Sequence, residues 1–203
     1  MHYLVYHPEQ LQAPLPLLDP ATLDATEQAA YAVRGEPYLV ERTLLRRELA
    51  RISGEAPESI RFSYTPHGKP EYAPAPFNLS HSAGLLCLAF HHSAIGVDIE
   101  RVRPLRHAPA SAARIMCPQQ HAAWLDRGSP EQEFFECWCA AEALVKLHGD
   151  TIWQAQRYPF LHHGAGGIEP LFEPAPVVRL ICPAPGFAGA VAYMPDAASA
   201  AAD

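Results

Sequence analysis

Positive charge is what this chain is short of. Fifteen lysines and arginines face twenty-two aspartates and glutamates, a formal net charge of −7. That balance argues against nucleic acid or an anionic membrane as a partner. No run of about 18 apolar residues occurs, so no membrane-spanning helix is expected. The start, MHYLVYHPEQ, has no basic segment leading into an apolar stretch; it reads as a first strand rather than a signal peptide. The five cysteines are odd in number and form no CxxC pair, which points to reduced, mostly buried thiols in a cytoplasmic protein. There is no GxSxG elbow for a serine hydrolase and no GxxxxGK[ST] phosphate loop. The pairs His91-His92 and His162-His163 lack the HxxxH spacing of a zinc helix, so strand ends or loops are expected there.

What is present suits a folded domain. The 203 residues are 49% apolar and 18% charged, enough to bury a core. The 21 prolines punctuate loops between periodic segments. Strands are expected at 3–6, 59–64, 77–79, 85–90, 95–100, 177–181 and 188–193. Helices are expected at 23–33, at 36–53 with Gly54 as its stop, and at 111–116 and 118–125. The strongest helix signal runs from Pro130 to His148, with Ser129 as N-cap, Gln132 closing a capping box and Gly149 ending it. Leu45, Leu49 and Ile52 share one helix face. The tail from residue 196 is expected to fray. Helices followed by short strands occur twice, which suggests an N-terminal half, 1–93, and a C-terminal half, 94–203.

Four segments could carry chemistry. In Gly96-Val97-Asp98-Ile99-Glu100, strand alternation puts Asp98 and Glu100 on one side and Val97 and Ile99 on the other. Two adjacent carboxylates repel unless a cation sits between them, and oxygen ligands suit Mg²⁺; a solvated edge strand fits the same pattern. Trp138, Glu142 and Lys146 fall four apart on one helix stripe, as a surface ion pair or as a third metal ligand beside a phosphate-binding amine. Phe77-Asn78-Leu79-Ser80-His81-Ser82 reads as a strand followed by a Ser-His-Ser turn, either structural or suited to holding phosphate. His67-Gly68-Lys69-Pro70 presents a lysine on a tight turn, and Arg42-Thr43 lies in an arginine-rich helix; solvated faces fit both equally.

In order and spacing these segments resemble one family, the phosphopantetheinyl transferases of the surfactin-synthetase-activating (Sfp) type. The family shows a GKP turn, FNLSHS, an apolar strand, (I/V)G(I/V)DIE and a helix with WxxKEAxxK. Here they are Gly68-Lys69-Pro70, Phe77–Ser82, Ile95–Glu100 and Trp138–Lys146, preceded by RTLLRREL from Arg42. The resemblance implies an α+β fold, a pseudo-dimer of two similar halves with the active site between them. It implies Mg²⁺ on Asp98, Glu100 and Glu142, and coenzyme A held by Arg42, Thr43, Gly68, Lys69, Pro70, Ser80 and His81. Glu142 and Lys146 would be catalytic, and the phosphopantetheine arm would pass to a serine of an apo acyl or peptidyl carrier protein in fatty-acid, polyketide or nonribosomal-peptide synthesis. A monomer is expected, because a two-half chain can close its own site. The alternative is a degenerate relative that binds coenzyme A or a carrier without efficient transfer. It is motivated by Ala141, which stands where the family has a lysine and where Ala141→Lys is expected to raise transfer. Gln120 stands near a position where the family often has a glutamate.

Overall fold

The computed structural model describes residues 1–12, 16–105, 108–164 and 167–195. The tail expected to fray lies outside them. Helices and antiparallel sheets alternate in an α+β arrangement. The chain forms two compact units, residues 6–75 and residues 1–5 with 76 onward.

Strand β1 (His2–Tyr6) opens the chain. The smaller unit holds α1 (Pro8–Gln12), α2 (Ala25–Arg34), α3 (Glu36–Ser53), β2 (Ser63–Tyr64) and β3 (Pro70–Glu71). Asp24 caps α2: its Oδ1 accepts the Glu27 N–H at 2.9 Å, while Glu27 Oε2 accepts the Asp24 N–H at 3.1 Å. Gly54 ends α3 in the left-handed conformation, as expected. Leu45 and Leu49 are fully buried, but Ile52, in the last turn of α3, is 39% exposed. The strand expected over 59–64 shrinks to Ser63–Tyr64, paired with Pro70–Glu71; residues 57–59 form a 3₁₀ turn. Ile60 and Phe62 bury their side chains there without entering a ladder.

The larger unit contains two three-stranded sheets. In the first, β4 (Phe77–Ser82) and β5 (Leu85–Phe90) form an antiparallel hairpin, and β1 joins on the far side in the order β1-β5-β4. The second has the order β6-β10-β9, from β6 (Ile95–Arg101), β9 (Val177–Ile181) and β10 (Phe187–Tyr193), all antiparallel. Between β6 and β9 come α4 (Ala108–Ile115), α5 (Pro118–Asp126), α6 (Glu131–His148) and the hairpin of β7 (Phe160–His162) with β8 (Ile168–Pro170).

Helix α6 lies across the second sheet. Two features bring it close. Ala188, Ala190 and Ala192 on β10 are small and share its core. Gly96 on β6 has no room for more: a Cβ there would sit 1.9 Å from the Ala143 carbonyl oxygen. The other face of β6, with Ile95, Val97 and Ile99, packs against Leu85, Cys87 and Ala89 of β5.

The start of α6 differs from the expected capping box. Pro130 is the N-cap and no side chain caps the helix. Ser129 has φ +57° and its N–H donates to the Trp124 carbonyl, so it closes the end of α5 instead. Gln132 donates forward to Glu136 Oε1 at 2.9 Å. Gln120, on α5, is buried: its Nε2 donates to Glu133 Oε1 at 3.0 Å and its Oε1 accepts the His162 N–H at 2.8 Å. It ties α5 to α6 and β7.

Candidate functional site

The six residues FNLSHS are all strand. Ser80-His81-Ser82 is not the turn expected after β4 but its second half; the turn is Ala83-Gly84, both at positive φ. Alternation then puts Asn78, Ser80 and Ser82 on one side, where they meet β6. Asn78 Oδ1 accepts the Val97 N–H at 2.9 Å, Ser80 Oγ the Ile99 N–H at 3.2 Å and Ser82 Oγ the Arg101 N–H at 3.1 Å. The two strands ascend together at a constant offset. Side-chain oxygens stand in for a backbone ladder where the edges of the two sheets meet.

The same hydroxyls hold carboxylates. Ser80 Oγ donates to Asp98 Oδ1 at 2.7 Å, and Ser82 Oγ donates to Glu100 Oε2 at 2.9 Å. Lys146, reaching from α6, donates to Asp98 Oδ1 at 2.7 Å and to the Val97 carbonyl at 3.1 Å. Asp98 is not on an exposed edge: it is 5% exposed, and its Oδ2 is buried with no hydrogen-bond partner. Arg103 approaches Glu100 Oε2 at 3.4 Å.

Glu142 lies one turn before Lys146 and half-buried. Burial pushes its carboxyl above the ordinary range; Lys146 draws it down, and Asp98 and Glu100 push it up further. Glu142 therefore feels both of the β6 carboxylates. Among the described residues, however, no three His, Cys, Asp or Glu side chains are arranged to hold a metal ion. The fit to a hard cation rests on the donor set, all carboxylate oxygens, and on the orphaned Asp98 Oδ2. Burial raises the Cys87 thiol to about 12, so this thiol beside the site is no nucleophile.

The remaining expected residues are placed as follows. His81 is exposed, on the face of β4 opposite Ser80 and Ser82. Ala141 is 1% exposed in the core, so the face that carries Glu142 and Lys146 is unchanged by the absence of a lysine there; an ammonium at 141 would have to be desolvated. In the smaller unit, Gly68 takes φ +78° in the turn between β2 and β3, and the Lys69 N–H donates to Thr65 Oγ1 at 3.1 Å, with Pro70 on β3 opposite Tyr64. The Thr43 hydroxyl donates to the Leu39 carbonyl at 2.8 Å and accepts the Leu18 N–H at 3.2 Å. Arg42 and Arg46 are not solvated. Arg46 is fully buried on Glu27, itself fully buried, and Arg42 lies 3.7 Å from the same carboxylate and stacks on Tyr38. Sequence reading missed Glu27 as the counter-ion; the signal for it was the Asp24–Glu27 capping pattern, which fixes the direction of that carboxylate. It placed Asn78 and Ser82 in a candidate segment without their bonds to β6.

Residues 94–174 match a family model described as the 4'-phosphopantetheinyl transferase superfamily. The 4'-phosphopantetheinyl transferase AcpT of Escherichia coli (strain K12) is 33% identical over 146 residues, 68% of this chain and 71% of the relative. The chain belongs to the 4'-phosphopantetheinyl transferase superfamily. Two shorter matches agree. The transferase HetI of Nostoc sp. (strain PCC 7120) is 34% identical over 126 residues, 57% of this chain and 52% of the relative. Sfp of Bacillus subtilis (strain 168) is 30% identical over 119 residues, 56% and 52%. The family match begins beside β6 and spans Asp98, Glu100, Glu142 and Lys146. No helix among the described residues is long and apolar enough to cross a membrane.

Proposed function

We propose that this transferase moves the 4'-phosphopantetheine arm of coenzyme A to a serine of an apo acyl or peptidyl carrier protein, with Mg²⁺ at the Asp98–Glu100–Glu142 cluster. The observation that carries the site assignment is the buried, unpartnered Oδ2 of Asp98 amid two further carboxylates and Lys146. Unused lone pairs on a buried carboxylate cost energy unless a donor or cation takes them. When bound, Mg²⁺ would neutralise pyrophosphate charge and polarise the phosphoryl oxygens.

The chain's own residues account for the rest. Glu142, with its proton affinity raised by burial, accepts the proton of the carrier serine, directly or through water. The serine oxygen bonds to the β-phosphorus of coenzyme A, the bridging P–O bond breaks, and 3',5'-ADP leaves. Lys146 keeps a positive charge beside the phosphates. The nucleotide and its phosphates fall to Ser80, His81, Gly68, Lys69, Pro70, Arg42 and Thr43. Arg42 Nε and Nη1 are buried with no hydrogen-bond partner, whereas the Thr43 and Ser80 hydroxyls are each already bonded twice.

We further propose the Sfp-type organisation of two halves, 1–93 and 94–203, with the protein acting as a monomer in the cytoplasm. Support comes from strand order: each half contributes a strand, a long helix and a hairpin, and each sheet runs first-last-middle, β1-β5-β4 and β6-β10-β9. Ser80 and Ser82 come from one half, and Asp98, Glu100, Glu142 and Lys146 from the other.

The test is mass spectrometry of an apo carrier protein after incubation with the protein, coenzyme A and Mg²⁺. One phosphopantetheine gained, lost with EDTA and reduced about 100-fold or more in rate by Asp98→Asn, is expected. Coenzyme A binding without any gain across carriers of several pathways would favour a binder. Full activity of Asp98→Asn would overturn the metal assignment.

A further inference from the structure

Ser82 belongs to none of the nucleotide, metal or proton-transfer roles above, yet it makes two specific bonds at the site. Its hydroxyl accepts the Arg101 N–H at 3.1 Å and donates to Glu100 Oε2 at 2.9 Å. Ser80, two residues earlier, repeats the arrangement with Ile99 and Asp98. One hydroxyl has one proton to give. Because the backbone N–H fixes the serine as acceptor on one side, its proton is committed to the carboxylate on the other. The orientation of each β6 carboxylate is thus set by a β4 serine, whose own position is set by the β6 backbone.

We propose that Ser82 is a positioning residue for the cation site: it acts through Glu100, fixing which carboxylate oxygen stays available to a divalent ion. This rests on the proposed reading of Asp98, Glu100 and Glu142 as the cation site. Glu100 needs such a device more than Asp98 does. Asp98 is held by Ser80 and Lys146 together, with a side chain 8% exposed. Glu100 has a longer side chain, 27% exposed, and among the described residues its Oε2 bonds to Ser82 and to the exposed Arg103. Without Ser82, the Glu100 carboxylate is left to the exposed Arg103, a weaker and more mobile partner. Partners that orient a ligand in this way govern metal affinity more than they govern the fold.

The experiment is direct Mn²⁺ binding, by electron paramagnetic resonance of free Mn²⁺, to the full chain with coenzyme A present and no carrier, so that nothing turns over. In Ser82→Ala the Mn²⁺ dissociation constant rises about 10-fold or more, and Ser82→Thr, which keeps the hydroxyl, restores it. Ser82→Cys, close in size but a poor partner for both bonds, behaves as Ser82→Ala and serves if the alanine variant folds poorly. In transfer assays the Mg²⁺ concentration for half-maximal rate moves by the same factor while the rate at saturating Mg²⁺ is kept. Wild-type affinity in folded Ser82→Ala or Ser82→Cys would overturn the role of Ser82 alone. No saturable Mn²⁺ binding by the wild-type protein would overturn the cation site and Ser82's role together.

Discussion

A serine hydroxyl can accept one hydrogen bond and donate another, and Ser80 and Ser82 use both capacities at once. A carboxylate has more lone pairs than its neighbours supply, and the excess on Asp98 is what marks the site. The chain's two lysines, Lys69 and Lys146, fall in the two segments singled out for amine chemistry; every other basic side chain apart from histidine is arginine. Away from the site, the most informative titrating group is Glu136. Its Oε2 lies 2.7 Å from His162 Nε2, and since His162 Nδ1 accepts the Gly164 N–H, Nε2 carries the proton that faces the carboxylate. That bond is the main cause holding the Glu136 carboxyl below its ordinary range. A depressed carboxyl stabilises the fold above the unfolded-state value and ceases to do so as pH falls through the folded one. Glu136→Gln should therefore cost about 1–2 kcal/mol at pH 7, and the difference should shrink in acid below the ordinary glutamate range. Urea unfolding of both proteins across that range checks it; a pH-independent difference would contradict the assignment.

Elements matter here through their spacing. Helix α6 brings Lys146 to Asp98 only because β6 has a glycine beneath it, where a methyl group would meet the Ala143 carbonyl and the Leu147 N–H. Gly96→Ala must push the helix away. A loss of about 2–3 kcal/mol is expected from the overpacking, together with loss of transfer activity beyond what the lowered stability explains, because the Lys146–Asp98 contact opens. Thermal unfolding beside transfer rate measures both; a variant that keeps wild-type stability would show that the helix position is soft. The same packing reverses the expectation at Ala141. As a sequence position it reads as a missing charge next to Glu142; as a helix position it faces the core, so Ala141→Lys is expected to destabilise rather than to raise transfer.

At the scale of the whole molecule, the two sheets share one strand order and meet edge to edge through Asn78, Ser80 and Ser82 instead of a continuous ladder. The cysteines report on how completely these layers close. All five are free; Cys87, Cys137 and Cys139 are buried, Cys117 is partly covered and Cys182 is exposed. Burial raises the Cys87 thiol to about 12 and pushes the Cys137 and Cys139 thiols well above their ordinary range. A thiol-reactive dye should label Cys182 quickly and Cys117 slowly, leaving the other three until the protein is denatured. Rapid labelling of all five in native buffer would mean that the layers open readily.

Local signals were legible in the residues themselves. Strand alternation gave the faces of β6, the continuous apolar run gave β5, and Gly54 and Gly149 marked helix ends, because each depends on neighbours within a few positions. The order of the motifs gave the family. What the sequence could not assign was partnership across distance. It placed Ser80 and Ser82 in a turn because their bonds to β6 cross 19 positions of the chain and leave no local periodicity. It left Arg42 and Arg46 open to solvent because the carboxylate that buries them, Glu27, lies on another helix. It left open a solvated edge for Asp98 because the strand that covers that edge is β4, whose Ser80 lies 18 positions back in the chain. Residue type and order determine which groups are present and on which face. Only tertiary structure decides which of them are buried together, since burial and pairing depend on elements far apart in the chain.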